Sequence, residues 1–156
     1  MTGKRYLRDG RAPIPADERT SAVMSRIRAR NTGPELRLRS ALRALGHTGY
    51  RLHVAGLPAR PDIAFVGRKV AVLVHGCFWH GCPHCTPARP KSHRSFWNAK
   101  LKANQERDAR KQQALEDLGW TVIVSWECRI KADAAGEAAR VSEVLMRNLT
   151  SGRAAG

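Results

Sequence analysis

The chain has 156 residues, 42% of them hydrophobic, which is enough for one domain with a sizeable core and too few for two. Its 28 Lys and Arg face 13 Asp and Glu, for a formal net charge of +15, and 21 of the basic residues are Arg. Such an excess repels itself in a compact fold and points to a polyanionic partner, with nucleic acid ahead of a membrane surface because Arg suits phosphate and guanine edges.

No apolar run approaches the ~18 residues of a membrane span, and the opening "MTGKRYLRDGRAPIP" lacks the apolar stretch of a secretory signal. The expectation is a cytoplasmic protein with reduced thiols and no membrane partner. In that setting four cysteines indicate metal or catalysis rather than disulfides.

Residues 1–20 read as a flexible basic arm, 21–150 as the globular domain and 151–156 as a disordered tail. Within 18–30, Val23, Met24 and Ile27 support a short helix. A stronger helix runs over 34–45 with the stripe Leu38, Ala41, Leu42, Leu45 and the stop Gly46; Thr32 is its N-cap and Glu35 stands three residues later. Strands are expected at 50–54, 62–66 and 69–74, the last two joined by a two-residue loop at Gly67-Arg68. The third is apolar almost throughout and should lie centrally. A polar helix over 94–117, a strand over 120–126 and a helix over 134–149 follow. Strand, long helix and strand suggest a right-handed parallel crossover.

Between the third strand and the long helix lies "HGCFWHGCPHC", residues 75–85. Cys82 and Cys85 form a C-x-x-C knuckle, Cys77 precedes it and Cys128 follows the fourth strand. Four thiolates make a closed tetrahedral zinc site of structural type. His84 is an alternative to Cys85, and a redox pair or free buried thiols are the other accounts. Phe78 and Trp79 either cover the metal or serve as apolar wedges between base steps.

Counting back across the Gly67-Arg68 loop sets Asp62 opposite Leu73, so Asp62, Leu73 and His75 share one face of the sheet. An acid and an imidazole then converge at its end, unless Asp62 merely caps a turn after Pro61. Glu35 falls on the buried side of its helix, where a capping box with Thr32 explains it equally well. On the long helix, Asn104 and Asp108 interrupt the buried stripe of Trp97, Leu101 and Leu115, and buried polar groups need partners.

These residues together, "RPD…LVHGCFWH…C…FW…N…RD…GW.V…WEC", resemble the very-short-patch-repair (Vsr) mismatch endonucleases over residues 21–128. The resemblance implies a restriction-endonuclease-like α/β core, with a mixed central sheet flanked by helices, that nicks duplex DNA 5′ of the thymine of a T:G pair. It makes Asp62 the Mg2+ ligand together with the main-chain carbonyl of Val74. His75 and His80 become catalytic histidines, with Glu35 and Asp108 as supporting acids. Phe78, Trp79 and Trp97 become intercalating aromatics, and Met24 belongs to a helix approaching the minor groove.

The place of the wider superfamily's second strand acid is taken by Leu73, and that of its lysine by His75. Two Mg2+ ions are expected near Asp62, and a single copy of the chain per nick, acting on mismatched double-stranded DNA at the nucleoid. The competing readings are a Vsr-like nuclease with another mismatch or lesion preference and a zinc-bearing DNA-binding module without catalysis.

Overall fold

The computed structural model describes residues 30–153. The arm, the expected helix over 18–30 and Met24 lie outside the described residues. The elements, in chain order, are α1 (Gly33–Ala44), β1 (Arg51–Leu52), β2 (Ile63–Phe65), a 3-10 turn (Val66–Arg68), β3 (Val70–His75), α2 (Cys77–His80), α3 (Arg94–Asp117), β4 (Thr121–Trp126), α4 (Glu127–Ala132) and α5 (Ala134–Arg153). The four strands form one mixed sheet in the order β1-β2-β3-β4. Strands β1, β2 and β3 pair antiparallel, and β3 pairs parallel with β4 across the connection that contains α3.

Two apolar layers hold the sheet. On one face Leu38 and Leu42 of α1, Ile130 of α4 and Ala138, Val141 and Leu145 of α5 pack against Ile63, Phe65, Val70, Val72 and Ile123. On the other, Ala64 and Ala71 meet Leu115 of α3 and Trp120. β3 is covered on both sides, as its apolar run requires. Each fully buried leucine contributes about 1.5–3 kcal/mol by leaving water.

α1 begins as its sequence indicates. Thr32 is the N-cap, and its hydroxyl accepts the Glu35 N–H at 3.4 Å. The Glu35 carboxylate, however, accepts the amide hydrogen of Asn31 at 3.0 Å, so the reciprocal half of the capping box is displaced one residue outward. Gly46 ends the helix at φ +86° with its N–H donated to the Arg43 carbonyl.

The β2–β3 connection corrects the expected two-residue loop. Val66–Arg68 forms a 3-10 turn, and Lys69 takes the left-handed conformation at φ 51°. The register survives, with Ala64 opposite Ala71, because the extra turn residues are taken symmetrically from both strand ends. The strand expected over 50–54 shrinks to Arg51–Leu52. His53 adopts φ +46°, which breaks the pleat, and only looser bonds from His53 N–H to the Asp62 carbonyl (3.3 Å) and Val54 N–H to the Pro61 carbonyl (3.4 Å) continue the ladder. Asp62 accordingly sits just before β2 rather than in it. The short helix α4 was not expected.

Candidate active site and metal centres

The C-terminal end of β3, the N-terminal turn of α1 and the middle of α3 enclose a cleft of about 940 Å3. Glu35, Asp62, Val74, His75, His80 and Asp108 line it, with Trp79, Lys111 and Glu127 at other points of its wall. Five acid or histidine residues picked out in the sequence therefore meet in one place.

Asp62 is anchored by the Val74 amide, whose N–H donates to Oδ2 at 2.7 Å. This bond ties the carboxylate to β3 next to His75. Burial pushes the Asp62 carboxyl up to about 6, the Val74 N–H works against that rise, and the nearby Glu35 charge adds to it. His75 is itself buried, and its ring stacks on that of His80 with centroids 4.0 Å apart. Burial lowers the His75 pKa to about 4, the neighbouring His80 pushes the same way and Asp108 opposes them, so His75 is neutral at physiological pH. His80 Nδ1 lies 2.5 Å from Asp108 Oδ2. An ionised Asp108 accepts the Nδ1 hydrogen and leaves Nε2 as the proton acceptor.

His53 was missed in the sequence. Its ring lies between Glu35 (Nε2 to Oε2, 3.5 Å) and Asp62 (Nδ1 to Oδ1, 3.7 Å). The folded register sets it there: β1 and β2 pair Leu52 with Ile63, and one more step brings His53 opposite Asp62.

Asn104 donates its amide to the Trp79 carbonyl at 2.9 Å, which fixes α2 to α3. Gly81, at φ +66°, closes α2 in the left-handed region, where a Cβ would run into the Gln105 side chain. Phe78, Trp79 and Trp97 form one aromatic group, with centroids 5.0 Å (Phe78–Trp79), 5.4 Å (Phe78–Trp97) and 5.9 Å (Trp79–Trp97) apart. Trp97 is 7% exposed and backs the other two, which are only half-buried.

The second centre is built from sulfur. Cys77, Cys82, Cys85 and Cys128 bring their Sγ atoms within 4.8 Å of one another, and Cys82 and Cys128 stand 3.7 Å apart. Four sulfurs at ~2.3 Å from a tetrahedral zinc would be spaced about 3.8 Å, whereas a disulfide needs about 2.05 Å. Main-chain N–H groups of His84 and Cys128 point at Cys82 Sγ and Cys77 Sγ at 3.4 and 3.3 Å, a pattern that stabilises thiolates. Burial opposes ionisation of Cys82, and the Cys85 and His84 amide hydrogens outweigh it, leaving its pKa at about 7. At Cys77 burial outweighs the Cys128 N–H and pushes the thiol well above its ordinary range, a cost that a bound cation would offset. His84 is outside this group; its ring edge faces Trp126. The cluster fits a metal ion that joins α2 to the start of α4. Glu127, also missed in the sequence, reinforces that junction by accepting the Cys77 N–H at 3.3 Å.

Among the described residues, no helix is long and apolar enough to cross a membrane. A sequence model described as "DNA mismatch endonuclease Vsr" matches residues 14–86. The chain is 41% identical to type II nicking enzyme V.XorIIP of Xanthomonas oryzae pv. oryzae, over 82% of this chain and 93% of that protein. It is 40% identical to type II nicking enzyme V.NaeI of Lentzea aerocolonigenes, over 80% of this chain and 77% of that protein. With the DNA mismatch endonuclease Vsr of Escherichia coli strain K12 it shares 38% identity, over 71% of this chain and 70% of that protein. The chain belongs to the Vsr family of DNA mismatch endonucleases.

Proposed function

We propose that this endonuclease nicks one strand of duplex DNA at a T:G mismatch, hydrolysing the phosphodiester 5′ of the mismatched thymine in a Mg2+-dependent reaction on a restriction-endonuclease-like core. The observation that carries the reading is the single cleft in which Asp62 meets the His75–His80–Asp108 group. Asp62 with the Val74 carbonyl offers hard oxygen donors, which suit Mg2+. Burial and Glu35 make an uncompensated Asp62 carboxylate unfavourable, and a bound cation would offset that cost.

Two Mg2+ ions held there would supply Lewis acidity to the water and to the leaving oxyanion. The protein's own groups do the rest. His80, oriented by Asp108, takes the proton of the attacking water at Nε2. Neutral His75 donates a hydrogen bond to a phosphate oxygen, and Glu35 supports the Asp62 end of the cleft. Phe78 and Trp79, backed by Trp97, enter the base stack opened at the mismatch, where a wobble pair costs less to unstack. Cys77, Cys82, Cys85 and Cys128 would hold a structural zinc, which would keep the wedge in shape. The Arg-rich surface, with the arm over 1–20 and Met24 approaching the minor groove, grips the backbone in a salt-dependent way. One copy of the chain suffices for one nick, and the place of action is the bacterial nucleoid in the cytoplasm.

End-labelled duplexes carrying every mismatch, incubated with the wild type and Asp62→Ala in Mg2+, test this reading. The expected result is one cut 5′ of the thymine of T:G, with matched duplex intact and the variant slower by about 10³-fold, since a cation in place is worth several kcal/mol. Preferential cutting at another mismatch would replace the substrate and keep the chemistry. Tight binding without cutting in Mg2+ or Mn2+ would overturn the reading.

A further inference from the structure

His53 stands apart from the other groups of the cleft. Glu35 and Asp62 line the cavity, and His53 does not. Its ring lies between them, with Nε2 facing Glu35 and Nδ1 facing Asp62. The other oxygen of Asp62, Oδ2, is held by the Val74 N–H, so Oδ1 is the atom left to the imidazole. Glu35 Oε2 is held by the Asn31 N–H and faces Arg39 at 3.8 Å. His53 Nε2 is buried and makes no hydrogen bond among the described residues. The main chain of His53 is held across from Asp62 at φ +46°, a left-handed conformation uncommon outside glycine that histidine tolerates better than most residues.

We propose that His53 is a positioning residue: its imidazole spans Glu35 and Asp62 and orients the Asp62 carboxylate, through Oδ1, for binding a divalent cation. The proposal rests on the reading of Asp62 as the cation ligand. Separations of 3.5 and 3.7 Å lie a few tenths of an ångström beyond hydrogen-bond length, and on this proposal the ring closes the Nδ1–H to Oδ1 contact when the cation binds. The ligand atoms of Glu35, His53 and Asp62 all lie within 4.8 Å of one another; the two carboxylates line the cavity and His53 does not, which favours a positioning role over direct ligation. Groups that orient metal ligands in this way affect metal affinity by roughly 10–100-fold.

The experiment follows Mn2+ binding to the full chain by electron paramagnetic resonance, with nicking at saturating Mg2+ measured in parallel, for the wild type, His53→Ala, His53→Phe and His53→Gln. Ala and Phe should each raise the half-saturating Mn2+ concentration about tenfold, while nicking at saturating Mg2+ stays within about threefold. Gln, which keeps one donor, should recover most of the affinity. Phe keeps the ring volume and decides the matter if Ala does not fold. Wild-type affinity in the Phe variant, or a Gln variant no better than Phe, would reduce His53 to packing and overturn the proposal. A wild type that binds Mn2+ but nicks no mismatched duplex would refute the proposed function and leave this inference standing. A wild type that binds no Mn2+ would end the inference whatever its nicking shows.

Discussion

The cysteine cluster and the carboxylate cleft come within two residues of each other in the chain, at Cys77 and His75, yet they are built on opposite plans. The first gathers four soft sulfur donors, of which Cys77 and Cys82 are buried, around a point that one tetrahedral ion could fill. The second sets one anchored carboxylate and two imidazoles on the wall of a cavity of about 940 Å3, with room for a phosphate. Donor type and open space, rather than the mere presence of metal-binding residues, separate a brace from a reacting centre. Their proximity also has a purpose in the fold: α2 carries Cys77 at its start and His80 at its end, so whatever fixes one end aims the other.

The comparison can be broken most severely at His80. His80→Ala should slow nicking by about 10²–10⁴-fold, the usual worth of a general base, with zinc content and unfolding midpoint unchanged. A fall in zinc content in step with activity would show that the two centres are not separable. The reciprocal change, Cys128→Ser, should remove zinc by elemental analysis and lower Tm by roughly 10 °C, taking about 3 kcal/mol at 2–4 °C per kcal/mol. The fraction that stays folded should still depend on Asp62. Unaltered Tm after complete zinc loss would deny the cluster its bracing role.

Protons sharpen the contrast at the other centre. The Asp62 carboxyl is raised from 3.8 to about 6 in the folded chain. Below about pH 6 a proton therefore competes with the cation, and the half-saturating Mg2+ concentration should rise about tenfold for each further pH unit. The sign for stability is opposite to that of a salt-bridged acid. A raised carboxyl favours the metal-free fold below about pH 4, and that contribution is lost as pH rises through about 6. Mg2+ should restore it above pH 6, which melting curves with and without the ion would reveal; a flat metal requirement from pH 5 to 7 would count against Asp62 as ligand. The smallest effect is expected at the wedge. Trp79→Ala should cut discrimination between mismatched and matched duplex about tenfold, the equivalent of 1.4 kcal/mol, and equal losses on both duplexes would contradict the wedge.

Much of this was legible before folding. The stripe of Leu38 and Leu42, the bounds of α3, the central place of β3 and the pairing of Ala64 with Ala71 follow from periodicity and register, which are local properties. The C-x-x-C knuckle pointed to a cluster able to bind a metal through donor chemistry alone, and the four thiols do gather. Local reading failed where backbone departs from regular geometry. The strand over 50–54 was cut short by the positive φ of His53, and the turn after Phe65 took a 3-10 path. The same irregularity hid His53, because alternation along a strand predicts a partner only while the pleat holds. Glu127 was hidden because α4, the helix it opens, is too short to show a period.

By itself the sequence determined the family and the layered arrangement, because each depends on residue identity at fixed spacing. Only the tertiary structure decided that His53 stands between Glu35 and Asp62, that Trp97 is buried against the aromatic pair, and that Cys85 rather than His84 joins the other thiols. Those outcomes turn on distances of a few ångströms between segments far apart in the chain. Such distances are set by how the sheet, its covering helices and the loop after β3 pack, not by any pattern along one strand or helix.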